Sequence, residues 1–392
     1  MELDFLPSSH SQALHPIEAG KVEVGNHVIQ PCADQIPVAI DTLALGIDRP
    51  DIYALQAALL VARYSYGLSL HELVRRETAA GQDASRKQLS SLIRRSTERL
   101  LPLAQAIRNH GLQAPLLTAA NIAVPNRGGG TRRLWGYVSS TGPSEEGQAR
   151  PYQTCWFQVT PDRSIYAKTE LRHYGGMVQA SPSTGYEGAV EGTQATLIHC
   201  WGAVASRTRL LALAEPHPIL SAVLEAYDQL RQNEKEIRKA SLTDRAFARH
   251  TKSRPILRKL HDTLERARQP IAAFSSLANY LADLERHWPS LCSFIEHPAV
   301  EMENGALESR LKSLAERDPW IFTWHPQAPT WAAAIFTILE SCALNRIDAE
   351  NYIAEALQRI EHGEGKDPHR EAILWGVPFF RSDGEACSER RQ

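Results

Sequence analysis

Between residues 115 and 200 the chain stops repeating at the helical period. "APLLTAANIAV", "RRLWGYVSS" and "YQTCWFQVT" are short runs rich in β-branched and aromatic residues, separated by "PNRGGGT" and "TGPSEEGQARP". Runs of this length, bounded by Gly, Pro and Asn, read as strands joined by turns. Together they predict a three-strand meander. "RGGG" at 127 to 130 is its hairpin loop, because no Lys-Ser/Thr pair follows and no helix starts there, as a phosphate cradle would need. Further strands are expected at "GGMVQAS" and "ATLIHCWG", with a helix at "RSIYAKTELRHYG" between the third and fourth strands. "TGYEG", around Tyr186, reads as a turn. A meander followed by strands alternating with helices implies a mixed α/β sheet of about five strands.

Both flanks are helical. "DIYALQAALLVARYSYG" repeats apolar residues every three or four positions. "SLHELVRRETAAG" has Ser69 in capping position, Glu72 three later and Gly81 as a stop. "ASRKQLSSLIRRSTERLLPLAQAIRNHG" starts at the cap Ser85 and ends at Gly111. The pair resembles a helix-turn-helix whose second helix carries Arg86, Lys87, Arg94, Arg95 and Arg99. An ordinary bundle with a solvated basic face is the competing reading. From Pro218 to about Pro289 the amphipathic pattern returns. There Arg238, Lys239, Arg245, Arg249, Lys252, Arg254, Arg258 and Lys259 form a second DNA-facing candidate, although interleaved acids fit a plain helical surface too. "VEMENGALESRL" reads as a helix with Glu301 and Glu308, seven apart, on one face. Alone, Glu308 reads as a solvated helix glutamate. Helices at "TWAAAIFTILESCAL" and "DAENYIAEALQRIE" follow "PWIFTW". The first fifty residues are weakly patterned, with one short strand at "KVEVGNHVIQP".

Hydrophobic content of 43% beside 22% charged residues suits a soluble globular chain, and no apolar run is long enough for a membrane span. The N-terminus has early acids and no apolar core run, unlike a secretory signal. Six cysteines, at 32, 155, 200, 292, 342 and 387, include no Cys-x-x-Cys pair, which points away from structural zinc and disulfides and toward a reduced, cytoplasmic protein. A formal net charge of -2 means that any nucleic-acid footprint must be local. The fifteen histidines show no H-E-x-x-H or other metal spacing, and most read as surface or packing residues.

The order of the blocks resembles the transposases of the insertion-sequence sixty-six family, which have a ribonuclease H-like catalytic domain. "RYSYGLSLHELVRRE…" is similar to the family segment that runs through "LPLYRQE" to a basic helix. "RRLWGYV" is similar to "LWVYV", and "HCWGAVASR" to "CWAHARR". "VEMENGALESRL" is similar to "LEIDNNAAERALR", and "PWIFTW…WAAAIFTILESCALNRIDAENYIAEALQRI" to "NWLFAGS…AAAIYSLIETAKLNGLDPYAYLRDVLARI". The resemblance runs colinearly over roughly residues 20 to 376.

Enzymes of this kind hold two magnesium or manganese ions between two aspartates and a glutamate. The family's "HADETPV" reads "TAANIAV" here, which puts Ala120 or Asn121 at the first aspartate. No acid occurs between Glu98 and Glu145, so the loss is independent of register. "LQADAYAGY" reads "VQASPSTGY", which puts Ser181 at the second aspartate. The glutamate of "NAAER" matches Glu308 in "GALES". "CADQIPV" looks like the first motif, but Asp34 precedes the helix-turn-helix and stands in the wrong order. Ala203 replaces a histidine, and Arg207 is what remains of a basic run. "ERDPW" replaces "GRKNW", with Glu316, Asp318 and Pro319 where the family is basic.

The resemblance thus implies a mixed α/β fold with a ribonuclease H-like core, a helical N-terminal domain and a helical insertion. Residues 1–50 form a tail or remnant, 51–112 a helix-turn-helix-like DNA-binding segment, 113–376 the core with its insertion at about 219–290, and 377–392 a C-terminal tail. The leading expectation is a transposase-family DNA-binding protein with catalysis lost. Double-stranded DNA is its partner through Arg86, Lys87, Arg94, Arg95 and Arg207, it has no membrane partner, and homo-oligomers are open to it. Glu308 is a relic ligand, and the family's magnesium or manganese is not expected to bind. One alternative is an active enzyme whose ligands are displaced to Glu145, Glu146, Asp162 or Glu170. Another is a helical interaction protein without DNA binding.

Overall fold

The computed structural model describes residues 52–79, 85–140, 153–161, 164–182, 185–267, 275–317 and 319–362. The expected N-terminal strand, Asp34 and both tails lie outside them.

Helix α1 (Ile52–Leu60) runs into a π-helical turn, Val61–Ser65, before α2 (Leu70–Ala79) and α3 (Arg86–Gly111). The expected caps are in place. Ser69 Oγ accepts from Glu72 N at 3.1 Å, and Ser85 forms a capping box with Gln88. Leu89, Ile93, Leu100, Leu103 and Ile107 recur at helical spacing and bury one face of α3.

The sheet comprises β1 (Leu116–Pro125), β2 (Thr131–Ser140), β3 (Cys155–Thr160), β4 (Met177–Ala180) and β5 (Thr196–His199), in the order β3-β2-β1-β4-β5. The first three strands are the expected antiparallel meander, whereas β4 and β5 run parallel to β1. At the hairpin, Gly129 (φ 88°) and Gly130 (φ 73°) occupy the left-handed region that the turn requires. Helix α4 (Ser164–Glu170) joins β3 to β4, and α6 (Trp201–Ala214) follows β5. The turn expected at "TGYEG" is instead a short helix, α5 (Tyr186–Val190). Its buried face, Tyr186 and Ala189, joins the aromatic cluster on the sheet, so packing fixes what local propensity leaves as a bend.

The insertion is helical as expected: α7 (Pro218–Glu236), α8 (Leu242–Ala248), a π-helical turn Arg249–Ser253, α9 (Arg254–Ala267) and α10 (Ser276–Cys292). Its basic stretch is not a DNA face throughout. Arg245 and Arg249 are buried. Arg249 pairs in bidentate fashion with Glu234 at 2.8 and 2.6 Å and donates to the carbonyls of Phe294, His297 and Val300. A guanidinium presents five N–H donors in a fixed fork, enough to hold these three carbonyls and a carboxylate at once.

After the insertion come α11 (Gly305–Ala315), α12 (Trp320–Thr323), α13 (Ala328–Leu344) and α14 (Ala349–His362). One hydrophobic core joins α1–α3 and α11–α14 to the face of the sheet that bears Ala120, Leu134 and Phe157. The opposite face carries Leu117, Ala119, Trp135, Tyr137, Trp156 and Tyr186. Helix α13 also closes the sheet edge. Thr337 Oγ1 accepts from Phe157 N at 3.0 Å. Ser341 Oγ accepts from Cys155 N at 3.1 Å and donates to Cys155 O at 3.0 Å. The Asn345 amide bonds Gln153 N and O. Four helical residues advance about 6 Å and two strand residues about 6.6 Å, so side chains at i, i+4 and i+8 meet alternate residues of β3 and of the segment that enters it. The edge that would otherwise invite another strand is occupied.

Candidate active site

Ala119 of β1 pairs with Ala180 of β4, and both face the aromatic cluster. One residue on, each strand turns its side chain to the other face of the sheet. Ala120 and Ser181 stand there, on the side covered by α11, and Ala120 packs in the core that contains Leu307 and Leu311. Gly136 lies opposite Ala120 on β2; a Cβ there would come within 3.0 Å of Leu311 and 3.3 Å of Leu307. Two nearly bare positions thus let α11 approach the sheet closely. The approach brings Glu308 to the end of β4, where its Oε1 accepts a hydrogen bond from Ser181 Oγ.

Two neighbours complete the cluster. Asn304 directly precedes α11 and is buried. Its Nδ2 lies 3.5 Å from both Ser181 Oγ and Ala119 O, and its Oδ1 accepts from Cys200 Sγ at 2.9 Å. Cys200 Sγ is also 3.3 Å from Ser181 Oγ. Burial pushes the Cys200 thiol up to about 11, against the opposing pull of the Ser181 hydrogen bond, so it stays protonated at neutral pH. Neither residue was singled out in the sequence, although both lie in the blocks "HCWGAVASR" and "VEMENGALESRL".

The register distinguishes the two candidates for the first position. Ala120 faces Glu308's helix. Asn121 points the other way, accepting from Arg133 at 3.3 Å and lying near Tyr186. The expectation that Glu301 and Glu308 share a helix face does not hold, because α11 starts only at Gly305. Glu301 instead pairs with Arg245 at 3.0 Å, and Glu303 accepts from the Tyr227 hydroxyl. Met302 O, between them, accepts from Trp201 N at 3.0 Å, which ties this stretch to the start of α6.

The donor set does not fit magnesium or manganese. These hard cations need several oxygen ligands with carboxylate charge. Ala120 offers none, Ser181 gives its proton to Glu308, and Glu308 is a single carboxylate. Of the alternative ligands, Glu170 is buried on the opposite face. It is held by Arg108 through two bonds of 2.7 Å and by Trp156 Nε1 at 2.8 Å. Glu145, Glu146 and Asp162 lie outside the described residues.

The basic candidates divide. Arg86, Lys87, Arg94 and Arg95 are all exposed on the first half of α3, with Arg94 3.5 Å from Glu98. Arg207 is exposed too, but it pairs with Asp283 at 2.8 Å and lies over the Tyr280 ring. Two of the histidines meet a carboxylate in space without a sequence motif. His199, His287 and Glu187 converge, with ligand atoms all within 4.8 Å of one another.

A model of the transposase IS66 family matches residues 53–330. The chain belongs to that family. The match begins in α1, takes in the whole sheet and the insertion, and ends inside α13. Among curated relatives, the uncharacterized protein y4hP of Sinorhizobium fredii is 26% identical over 83% of this chain and 62% of its own length. Protein y4jD of the same organism is 24% identical over 82% of this chain and 65% of its own length. A third, y4qI, is 20% identical over 79% and 59%. The chain thus spans under two thirds of the length of each of these relatives. Within this IS66-family fold, Ala120 of β1 faces the side covered by α11, and Ser181, just past β4, meets Glu308 of that helix.

Proposed function

We propose that this member of the transposase IS66 family binds double-stranded DNA but neither cleaves nor joins it. One observation carries the reading: Ala120, Ser181 and Glu308 lie on the same side of the sheet, and together they supply a single carboxylate. Two-metal phosphoryl transfer relies on carboxylates to fix the ions that offset charge on the reacting phosphate. Binding asks less. Exposed arginine and lysine side chains suffice to contact phosphates, and Arg86, Lys87, Arg94 and Arg95 are such a group. The free thiols Cys155, Cys200, Cys292 and Cys342 support a reducing, cytoplasmic setting.

The test is the purified chain incubated with labelled transposon-end duplex and manganese, beside Glu308→Gln. Neither protein should nick above background. Nicking by the wild type that disappears in the variant would contradict the reading. Retention on duplex should fall steeply with salt and weaken further when Arg86, Lys87, Arg94 and Arg95 are all replaced by alanine. No retention even at low salt would favour a helical interaction protein.

A further inference from the structure

A second cluster lies on the face of the sheet opposite Glu308. His199, the last residue of β5, pairs in register with Ala180 and so shares its face. Glu187 comes from α5 and His287 from α10. Glu187 Oε1 is 3.4 Å from His199 Nε2 and 2.9 Å from His287 Nε2. With metal bonds of about 2.0–2.1 Å, the edge of a tetrahedral site is about 3.4 Å. The two separations therefore lie at or just inside that edge.

The proton arrangement at His199 is the second observation. The Ser290 hydroxyl has one proton and donates it to His287 O at 2.8 Å. In the tautomer that this donation matches, the hydroxyl accepts from His199 Nδ1, 2.6 Å away, and Nδ1 carries the imidazole proton. Nε2 is left with its lone pair turned toward the Glu187 carboxylate, buried and without a hydrogen-bond partner. His199 is 3% exposed, so its Nε2 lone pair has little access to water, and a cation between it and the 45%-exposed Glu187 carboxylate would satisfy both. A histidine whose second nitrogen is held by a hydroxyl is also how metal-binding imidazoles are oriented.

We infer that Glu187, His199 and His287 form a binding site for a borderline divalent cation of the zinc class, with Ser290 orienting His199. Two imidazoles and one carboxylate suit such an ion and leave a fourth position for water. On binding, His287 presents its Nε2 lone pair and carries its proton on Nδ1. The ion ties the insertion helix α10 to β5 and α5. The inference is independent of the lost carboxylates, because the cluster is on the other side of the sheet.

The test uses the full chain, freed of any histidine tag, with zinc in chelator competition and cobalt(II) as a visible probe. One equivalent of zinc should be retained, and cobalt should give the absorption bands of a four-coordinate site. Millimolar magnesium should not displace either ion. Glu187→Gln and His287→Asn replace side chains that are 45% and 12% exposed, so the fold is expected to survive, which circular dichroism checks. Each should weaken zinc binding by at least about tenfold, and Ser290→Ala by about tenfold or more. No zinc retention by the wild type at micromolar concentration would overturn the inference. So would retention unchanged in both ligand variants, or displacement by magnesium.

Discussion

Ser181 Oγ donates a hydrogen bond to Glu308 across 127 residues of sequence, joining the end of β4 to α11. On the proposed reading, the bond stands where a metal ion would join two carboxylates, and these residues act as a structural pair. Ser181→Ala would leave a half-buried carboxylate without this donor and should lower stability by about 1–2 kcal/mol. Glu308→Gln keeps an acceptor and should change it by less than about 1 kcal/mol. Urea midpoints of the two variants check the order. A larger loss in Glu308→Gln would mean that the charge itself matters there.

Arg249 is the anchor of the insertion. It satisfies Glu234 and the carbonyls of Phe294, His297 and Val300, the segment that leads into Asn304 and α11. Arg249→Met leaves the largely enclosed Glu234 with only Arg245, 3.6 Å away, and frees three carbonyls. The expected loss is about 3–5 kcal/mol by denaturant unfolding. An effect below about 1 kcal/mol would show that water replaces these bonds without penalty.

The seam between α13 and β3 makes a separate prediction. Ser341→Ala strips both backbone groups of Cys155 of their partner in a buried setting. It should cost about 1–3 kcal/mol, and hydrogen exchange at Cys155 N should speed up. Unchanged exchange there would mean that the strand edge is protected by something else.

Burial of the Cys200 thiol sets an alkaline limit. An ordinary thiol titrates near 9, and in the fold Cys200 is held to about 11. The unfolded chain therefore loses this proton first. Stability from the neutral thiol is full below about pH 9 and is lost as pH rises from 9 through about 11, by about 2–3 kcal/mol in total. Cys200→Ser should flatten that part of the stability–pH profile relative to the wild type. Parallel profiles would contradict the assignment.

The sequence showed the sheet clearly because its strands are short β-branched and aromatic runs between strong turn residues. The caps at Ser69 and Ser85 were readable for the same local reason. What escaped depended on contacts between distant segments. Alternation along β1 says that Ala120 and Asn121 face opposite ways, but not which face α11 covers. Arg249 looked like one cation among many, since its partners are carbonyls about fifty residues on and Glu234 on a neighbouring helix. Glu187, His199 and His287 come from three elements and form no spacing motif. Glu301 was grouped with Glu308 because the heptad spacing ignored Asn304 and Gly305, where α11 begins.

On the proposed reading, the IS66-family fold persists here without the carboxylates that metal-dependent chemistry needs. Manganese binding by calorimetry tests it most directly, with His287→Asn as background so that the histidine cluster does not contribute. In that background the native pair Ala120 and Ser181 should give no manganese binding at the Glu308 site. Ala120→Asp with Ser181→Asp should create binding that is lost again on Glu308→Gln. Asn121→Asp with Ser181→Asp should not restore it, because Asn121 faces Tyr186 on the other side of the sheet. Glu308-dependent manganese binding without any restored aspartate would contradict the account.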